Sequence, residues 1–275
     1  MLILIIALCA TVLILLLSSA AVVIKTRHRN RLMQRPFPAE WETVLQKNMA
    51  LYRHLPPELR DQLHKDILVF MAEKDFEGCG GLMVTEEMKV TIAGEACLLL
   101  LNRKPTFYPN LKSILLYPHP YHAPGYRNVG GGHYAAEASL RAGESWTGGD
   151  VVLAWDCVRT ESQNGHDGRN VVLHEFAHQL DQEDGRADGA PLLEIHSRYH
   201  DWARILNSEY QRLRDDVTHN RHTDIDPYGA TNPAEFFAVA TESFFENPLQ
   251  MQSGEPGLYK ELKEYYKLDP AAWLS

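Results

Sequence analysis

The sequence predicts an α+β domain that follows one N-terminal transmembrane helix. Residues 1–24 hold no charged side chain and are mostly Leu, Ile, Val and Ala, which suits a helix that spans ~30 Å of hydrocarbon. Beyond them, amphipathic helical segments alternate with short apolar runs typical of strands, such as residues 111–117 and 150–155. We therefore divide the chain into a transmembrane anchor (1–24), a basic, proline-containing linker (25–38) and one domain (39–275).

The residues that follow the apolar segment indicate its orientation. Four basic residues lie between Lys25 and Arg31, and Arg35 comes after them. Basic residues favour the cytoplasmic side of a membrane, so we expect a single-pass protein of the inner (cytoplasmic) membrane with its domain in the cytoplasm. A cleaved signal peptide is the alternative, because Ser18-Ser19-Ala20 resembles a cleavage site. Against it, no basic residue precedes the apolar run, and the run is longer than a signal-peptide core.

The composition excludes several classes of function. The chain has 27 Lys and Arg against 36 Asp and Glu, a net charge of −9, which argues against nucleic acid as a partner. Its four cysteines have no paired spacing, so we expect neither a disulfide framework nor a cysteine-based zinc ribbon.

Scaffold elements are predicted around a central motif. We expect helices at about 39–54, 57–74, 85–101 and 193–217, and strands at 76–77, 111–117 and 150–155. Residues 118–133 and 159–168 are predicted as loops, with the histidines His119, His122 and His133 exposed rather than bound to a metal. The strand at 150–155 is either an edge that accepts an extended peptide or an ordinary sheet strand.

The central motif is His-Glu-x-x-His within the apolar run of residues 171–181. His174 and His178 are four residues apart, so on a helix they share a face and could take two corners of a zinc tetrahedron. Glu175 then stands beside the metal, where it can take a proton from a water molecule on the metal. Surface histidines are the alternative, but unpaired imidazoles in an apolar stretch would cost desolvation energy, which favours a metal site.

A second histidine pair has the same spacing but lacks the rest of the motif. His196 and His200 are four residues apart within the predicted helix at 193–217. No glutamate follows His196, and Arg198 and Arg204 lie in the same segment. We therefore interpret this pair as part of a solvated helix face.

Two histidines leave the metal short of ligands, and a downstream helix offers carboxylates. Asn232 suits a helix N-cap and Pro233 the first helical position, so we expect a helix to about residue 246. A carboxylate in this aromatic-rich helix is costly unless it binds a metal or a partner. The candidate carboxylates are Glu235, Glu242 and Glu246.

Taken together, these segments resemble the Mlc titration factor A family of zinc peptidases. The resemblance covers roughly residues 36–270 and is carried by residues 143–146, 152–155, 174–181, 184–185 and 228–245. The His-Glu-x-x-His helix with the Tyr-x6-Glu segment is also similar to the catalytic domain of anthrax lethal factor. The resemblance implies a zincin-like fold of the gluzincin type.

The resemblance also implies roles for individual residues and a function. It makes His174, His178 and Glu235 the ligands of zinc (Zn²⁺), Glu175 the general base and Tyr228 the hydroxyl donor to the oxyanion. The function implied is that of a zinc-dependent metallopeptidase acting on a peptide or protein substrate. Either of two further carboxylates could orient a ligand imidazole. They are Asp181 and Glu242.

Two alternatives to a peptidase remain open at this point. One is a membrane-tethered binding protein that sequesters a transcription regulator, with zinc mainly structural. The family includes a soluble cytoplasmic protein that acts on the sugar-responsive repressor Mlc, and the apparent anchor of this chain departs from it. The other alternative is a non-peptidase zinc hydrolase, which Glu175 and Tyr228 favour less because they suit amide hydrolysis.

Overall fold

A computed structural model describes residues 2–130, 133–146 and 148–274. It does not describe the side chains of residues 2–10, 12–18, 122–141 and 146. The helices are α1 (Leu2–Met33), α2 (Ala39–Asn48), α3 (Ala50–His54), α4 (Pro57–Glu73), α5 (Glu86–Leu98), α6 (Trp155–Asn164), α7 (Val171–Asp181), α8 (Tyr199–Thr218), α9 (Pro233–Glu246), α10 (Pro248–Gly254) and α11 (Pro256–Tyr266). The strands are β1 (Asp75–Gly78), β2 (Ser113–Tyr117), β3 (Tyr121–Gly130), β4 (His133–Arg141), β5 (Gly143–Trp146) and β6 (Asp150–Ala154). This mixture confirms the predicted α+β class.

A four-stranded sheet with the order β1-β2-β6-β5 supports the helices. Strands β1, β2 and β6 are parallel, whereas β5 pairs antiparallel with β6, so that Gly143 lies opposite Leu153. Strand β6 is therefore an interior strand, and the ordinary-strand alternative for residues 150–155 is the one found. The edge strand that lies next to helix α7 is β5.

Helix α7, which carries the His-Glu-x-x-His motif, is largely buried in the core. Phe176 packs against Tyr108 and Phe70, with ring centroids 4.8 and 5.8 Å apart. The helix begins after Asn170, whose side-chain oxygen accepts hydrogen bonds from the backbone N–H groups of residues 172 and 173. It continues into a short 3-10 turn that ends at Gly185, in the left-handed conformation expected of a helix C-cap. The buried face of this helix fixes the motif against the sheet and helix α9.

Several predicted elements differ from the structure. Residues 159–168 were expected to be a loop, but helix α6 runs to Asn164. Only Val158 and Ser162 of that helix are buried, and most of its other residues are polar, so the segment resembles a polar loop in sequence. The predicted loop at 118–133 is also wrong, because β3 pairs antiparallel with the neighbouring strand β4 to form a hairpin. The helix expected at 39–54 is interrupted at Met49, and α8 starts at Tyr199, later than predicted.

Helix α1 extends beyond the predicted anchor. It continues to Met33, through most of the segment predicted as a linker, and Arg29 donates two hydrogen bonds of 2.7 Å to Glu73 of α4. Leu32 is buried in the core. An ion pair with α4 and an apolar contact thus attach to the domain residues that the sequence predicted as a basic linker.

The transmembrane prediction depends mainly on residues whose side chains the structure does not describe. Within the part of the chain whose side chains are described, no helix is both long and apolar enough to cross a membrane. The anchor was predicted from residues 1–24, and the side chains of residues 1–10 and 12–18 lie outside that part. The anchor therefore stays a prediction.

Candidate metal centre

Helices α7 and α9 bring three ligand-type atoms to one point. His174 Nε2 lies 3.0 Å from Glu235 Oε2 and 3.2 Å from His178 Nε2. His178 Nε2 lies 3.3 Å from the same Glu235 oxygen. Among the described residues, these three side chains form the cluster of potential ligands that could hold a metal ion. The three predicted ligands thus converge, although one of them is about sixty residues away along the chain.

The geometry of this triangle fits a metal ion. A tetrahedral ion with ligand bonds of ~2.0–2.1 Å separates its ligand atoms by roughly 3.3–3.4 Å, close to the distances observed. His174 Nδ1 lies 2.7 Å from Glu242 Oε1, and a carboxylate oxygen accepts hydrogen bonds. The proton of a neutral His174 is therefore on Nδ1, and Nε2 faces the triangle without one. Two imidazoles and a carboxylate are a donor set typical of a borderline divalent cation.

Glu242, rather than Asp181, contacts a ligand imidazole. Its second oxygen accepts a 2.7 Å hydrogen bond from the backbone N–H of Asn170, at the start of α7. Asp181 is fully buried and instead accepts a hydrogen bond from the backbone of Gly189. Glu242 is thus positioned to orient His174, and Asp181 is placed to hold the loop that follows α7.

The third acidic candidate on α9, Glu246, lies away from the triangle. It accepts hydrogen bonds from the side chain of Asn170 and from the backbone of Arg169. Burial, with Glu95 nearby, raises the pKa of Glu246 to about 10. Glu246 therefore supports the start of α7 as an uncharged side chain at neutral pH.

The histidines and glutamates around the ligand triangle shift the pKa values of one another. Burial lowers the pKa of His174, but Glu242 and Glu235 outweigh burial and raise it well above its usual range. Burial raises the pKa of Glu235, yet hydrogen bonds with His174 and His178 prevail and lower it to about 2. The carboxylate is therefore ionised at neutral pH, the state in which it can bind a cation.

Glu175 occupies the space between α7 and the edge strand. It is 5% exposed, and its Oε2 has no hydrogen-bond partner among the described atoms. Burial raises the pKa of Glu175 to about 7, against the opposing effect of His174 and His178. Opposite it stands Gly143 of β5, where a Cβ atom would lie only 2.6 Å from Glu175 Oε1. A carboxyl group with this pKa can gain or lose a proton near neutrality.

Tyr228 lies at the mouth of the site beside His174. Its ring centroid is 6.1 Å from that of His174, and the residue is 56% exposed. It belongs to a 3-10 turn (Pro227–Ala230), and its backbone N–H donates to Asp226, which is paired with Arg169 at 2.8 Å. The structure thus brings all five predicted site residues to one place.

These residues line a cleft of about 780 Å³. Its walls are strand β5, helix α7 and the start of α9, including Glu144, Ser145 and Pro233. A cleft of this size can accept several residues of a peptide.

The other histidines named from sequence are not in the cluster. His119 is exposed and lies 2.8 Å from Asp156. His200 is exposed, as expected of a solvated helix face, and His196 lies in a separate 3-10 turn before α8. The side chains of His122 and His133 lie outside the described residues.

Sequence reasoning missed three residues that shape the site. Asn170 caps α7 and binds Glu242, Gly143 faces Glu175, and Gln179 donates a 2.7 Å hydrogen bond to Ser145. An asparagine directly before an apolar helix is an N-cap signal that could have been recognised. The other two depend on how β5 lies against α7, which the sequence does not indicate.

Two imidazoles and a carboxylate, presented by two helices beside an antiparallel edge strand, form a candidate metal centre in an α+β domain. Sequence comparison shows which family the chain belongs to. The chain belongs to the glucose-regulated metallo-peptidase M90 family, whose sequence model matches residues 24–267.

The relatives carry two kinds of name. The uncharacterized protein slr2042 of Synechocystis sp. is 41% identical over 241 residues, which cover 87% of this chain and 88% of that protein. Mlc titration factor A of Klebsiella pneumoniae (strain 342) is 30% identical over 84% of this chain and 86% of its own length. Mlc titration factor A of Serratia proteamaculans (strain 568) is also 30% identical, over 86% of this chain and 89% of its own length. The predicted family is confirmed.

Proposed function

We propose that this protein is a zinc-dependent metallopeptidase that hydrolyses peptide bonds. The observation that carries the proposal is the convergence of His174, His178 and Glu235 with Glu175 beside them. The family of the chain supports it. A zinc ion bound to the three ligands would polarise a peptide carbonyl and lower the pKa of water towards ~7.

The other residues of the cleft supply proton transfer and charge stabilisation. Glu175, buried beside the two histidine ligands, accepts a proton from the attacking water and delivers it to the leaving amine. The hydroxyl of Tyr228 donates a hydrogen bond to the carbonyl oxygen as negative charge develops on it. No covalent intermediate is needed, because water is the nucleophile.

The edge strand provides the place for an extended substrate. Strand β5 uses one side to pair with β6, and three of its residues line the cleft. A peptide that added to the other side of β5 would gain backbone hydrogen bonds and cross in front of Glu175. This arrangement favours peptides over compact non-peptide substrates.

The proposal is tested by incubating a peptide mixture with the purified protein, with and without a chelator. We expect chelator-sensitive cleavage that is restored by zinc. The Glu175→Gln variant should retain the metal and lose nearly all turnover, whereas Glu58→Gln, on an exposed site of α4, should behave as wild type. A fully active Glu175→Gln variant would exclude the assigned base.

A second candidate function is sequestration of a transcription regulator, with the metal mainly structural. Its support is the name Mlc titration factor A borne by several relatives. This function predicts regulator binding that survives Glu175→Gln in a protein that cleaves no peptide.

We also propose that residues 1–24 anchor the protein in the inner membrane with the domain in the cytoplasm. Support comes from the continuous helix α1 and from the exposed apolar residues Val22, Val23 and Ile24 just before the basic segment. The test is fractionation of cells, followed by protease treatment of inverted membrane vesicles. Release of the protein by salt alone would contradict an anchor.

A further inference from the structure

Helix α7 and strand β5 meet through two contacts in matching register. Glu175 and Gln179 are four residues apart on α7, so they share a face and lie ~6 Å apart along the helix. Gly143 and Ser145 are two residues apart on β5, so they share a face and lie ~6.6–6.8 Å apart along the strand. Glu175 faces Gly143, and Gln179 donates a 2.7 Å hydrogen bond to Ser145.

The first contact depends on the absence of a side chain at Gly143. A Cβ atom there would lie 2.6 Å from Glu175 Oε1, 2.8 Å from Glu175 Cγ and 2.7 Å from a methyl group of Val171. All three separations are below the 3.0 Å that Cβ atoms in proteins keep from other heavy atoms, so α7, β5 or the Glu175 side chain would have to move. Gly143 does not have a left-handed backbone, so the restriction is one of space alone.

The second contact, between Gln179 and Ser145, joins α7 to β5 one helical turn beyond Glu175. Gln179 is 5% exposed, and its amide reaches Ser145 across the gap between helix and strand. Because a buried amide without a partner costs free energy, this bond favours one separation of α7 from β5.

We propose that Gly143 and the Gln179–Ser145 hydrogen bond position the Glu175 carboxylate between the ligand cluster and the edge strand. The inference rests on the proposed peptidase function, in which Glu175 transfers protons to and from groups held along β5. These are positioning residues, since they act through Glu175. Their effect is on turnover, because a base displaced by about 1 Å can lose on the order of 100-fold in rate.

The test compares two matched substitutions in the full-length protein. Gly143→Ala adds a methyl group against Glu175, while Gly148→Ala, in the turn between β5 and β6, adds the same group into open space. We expect Gly143→Ala to lower kcat roughly 10–100-fold with little change in KM and an unchanged metal content. Gly148→Ala should match wild type. Ser145→Ala should lower kcat by less than Gly143→Ala, because it removes the hydrogen bond from Gln179 but introduces no steric clash with α7.

A second measurement reports the contact without using activity. Gly143→Ala should lower Tm in the wild-type background and lower it less when Glu175 is replaced by Ala, because two of the three close contacts are then absent. An equal loss of Tm in both backgrounds would overturn the inference. So would a Gly143→Ala variant with the kcat of Gly148→Ala, or one that loses metal and activity together. Absence of chelator-sensitive turnover in the wild type would overturn the proposed function itself, which keeps the two failures distinct.

Discussion

Glu242 on α9 accepts a hydrogen bond from Nδ1 of His174 on α7 over a distance of 2.7 Å. The other oxygen of the same carboxylate accepts the backbone N–H of Asn170, also at 2.7 Å. One side chain therefore ties the start of the metal helix to the ring that would bind the metal. In the neutral form that binds a metal, His174 donates from Nδ1 to Glu242, and the lone pair of Nε2 is directed towards His178 and Glu235.

The Glu242→Gln variant should weaken metal binding. A glutamine amide cannot accept at both ends, so either one contact is lost or the amide donates to Nδ1 of His174 and moves the ring proton to Nε2. Loss of an orienting partner of this kind typically costs 10–100-fold in metal affinity. The measurement is competition with a chromophoric chelator. Asp181→Asn is the matched control, since that carboxylate faces Gly189, and equal losses in the two variants would contradict the role of Glu242.

The Tyr228→Phe variant should lower kcat while keeping the metal. Removing one hydrogen-bond donor to a developing oxyanion costs on the order of 100–1,000-fold in kcat. Because the tyrosine backbone is held by Asp226, the ring should keep its place without the hydroxyl. Steady-state kinetics with metal analysis on the same sample checks this. An unchanged kcat would assign Tyr228 to the rim of the cleft and leave the oxyanion to another donor.

Asp66 should make the protein less stable as pH rises. This residue of α4 is buried, and burial raises its pKa to about 7. Between about 4 and 7 the folded state binds this proton more tightly than the unfolded state, so the free energy of unfolding falls as pH increases. Asp66→Asn should therefore be more stable than wild type at pH 8, by a few kcal/mol at most, and the gain should shrink at pH 5.

Urea unfolding at the two pH values measures this effect. Asp61→Asn, on the exposed side of the same helix, is the matched control and should keep the wild-type pH dependence. A gain for Asp66→Asn that is the same at both pH values would show that Asp66 is ionised in the fold throughout.

Residues 25–33 should contribute to the stability of the domain. A chain that starts at residue 25 keeps the Arg29–Glu73 pair and the buried Leu32, while a chain that starts at residue 36 loses both. Burial of Leu32 alone is worth about 1.5–3 kcal/mol. We expect a clearly lower Tm for the shorter chain, with Arg29→Ala in the longer one falling between. Equal Tm values would mean that the end of α1 is only loosely attached.

Local spacing explains why half of the site could be predicted from the sequence. His174, Glu175 and His178 lie on one helix, and the helical repeat determines their relative positions. Glu235, Glu242 and Glu246 differ by seven and eleven residues, so their shared face was also predictable. Which turn of α9 meets His174 depends on how the two helices cross, and residues alone left the third ligand open. The family resemblance, rather than geometry, selected Glu235.

Topology explains most of what could not be predicted. The order of strands in a sheet is not encoded in any one strand, so β5 could not be assigned to the edge from its four residues. The contact between Gly143 and Glu175 follows from that placement and was hidden for the same reason. Similarly, β3 pairs with β4 although its residues lie in the segment predicted as a loop.

Anomalous X-ray diffraction at the zinc edge, from crystals of the protein as purified, tests the central claim most directly. The account predicts one strong peak about 2.0–2.2 Å from His174 Nε2, His178 Nε2 and a carboxylate oxygen of Glu235. A peak at other residues, or a refined structure in which Glu235 points away from both rings, would contradict it.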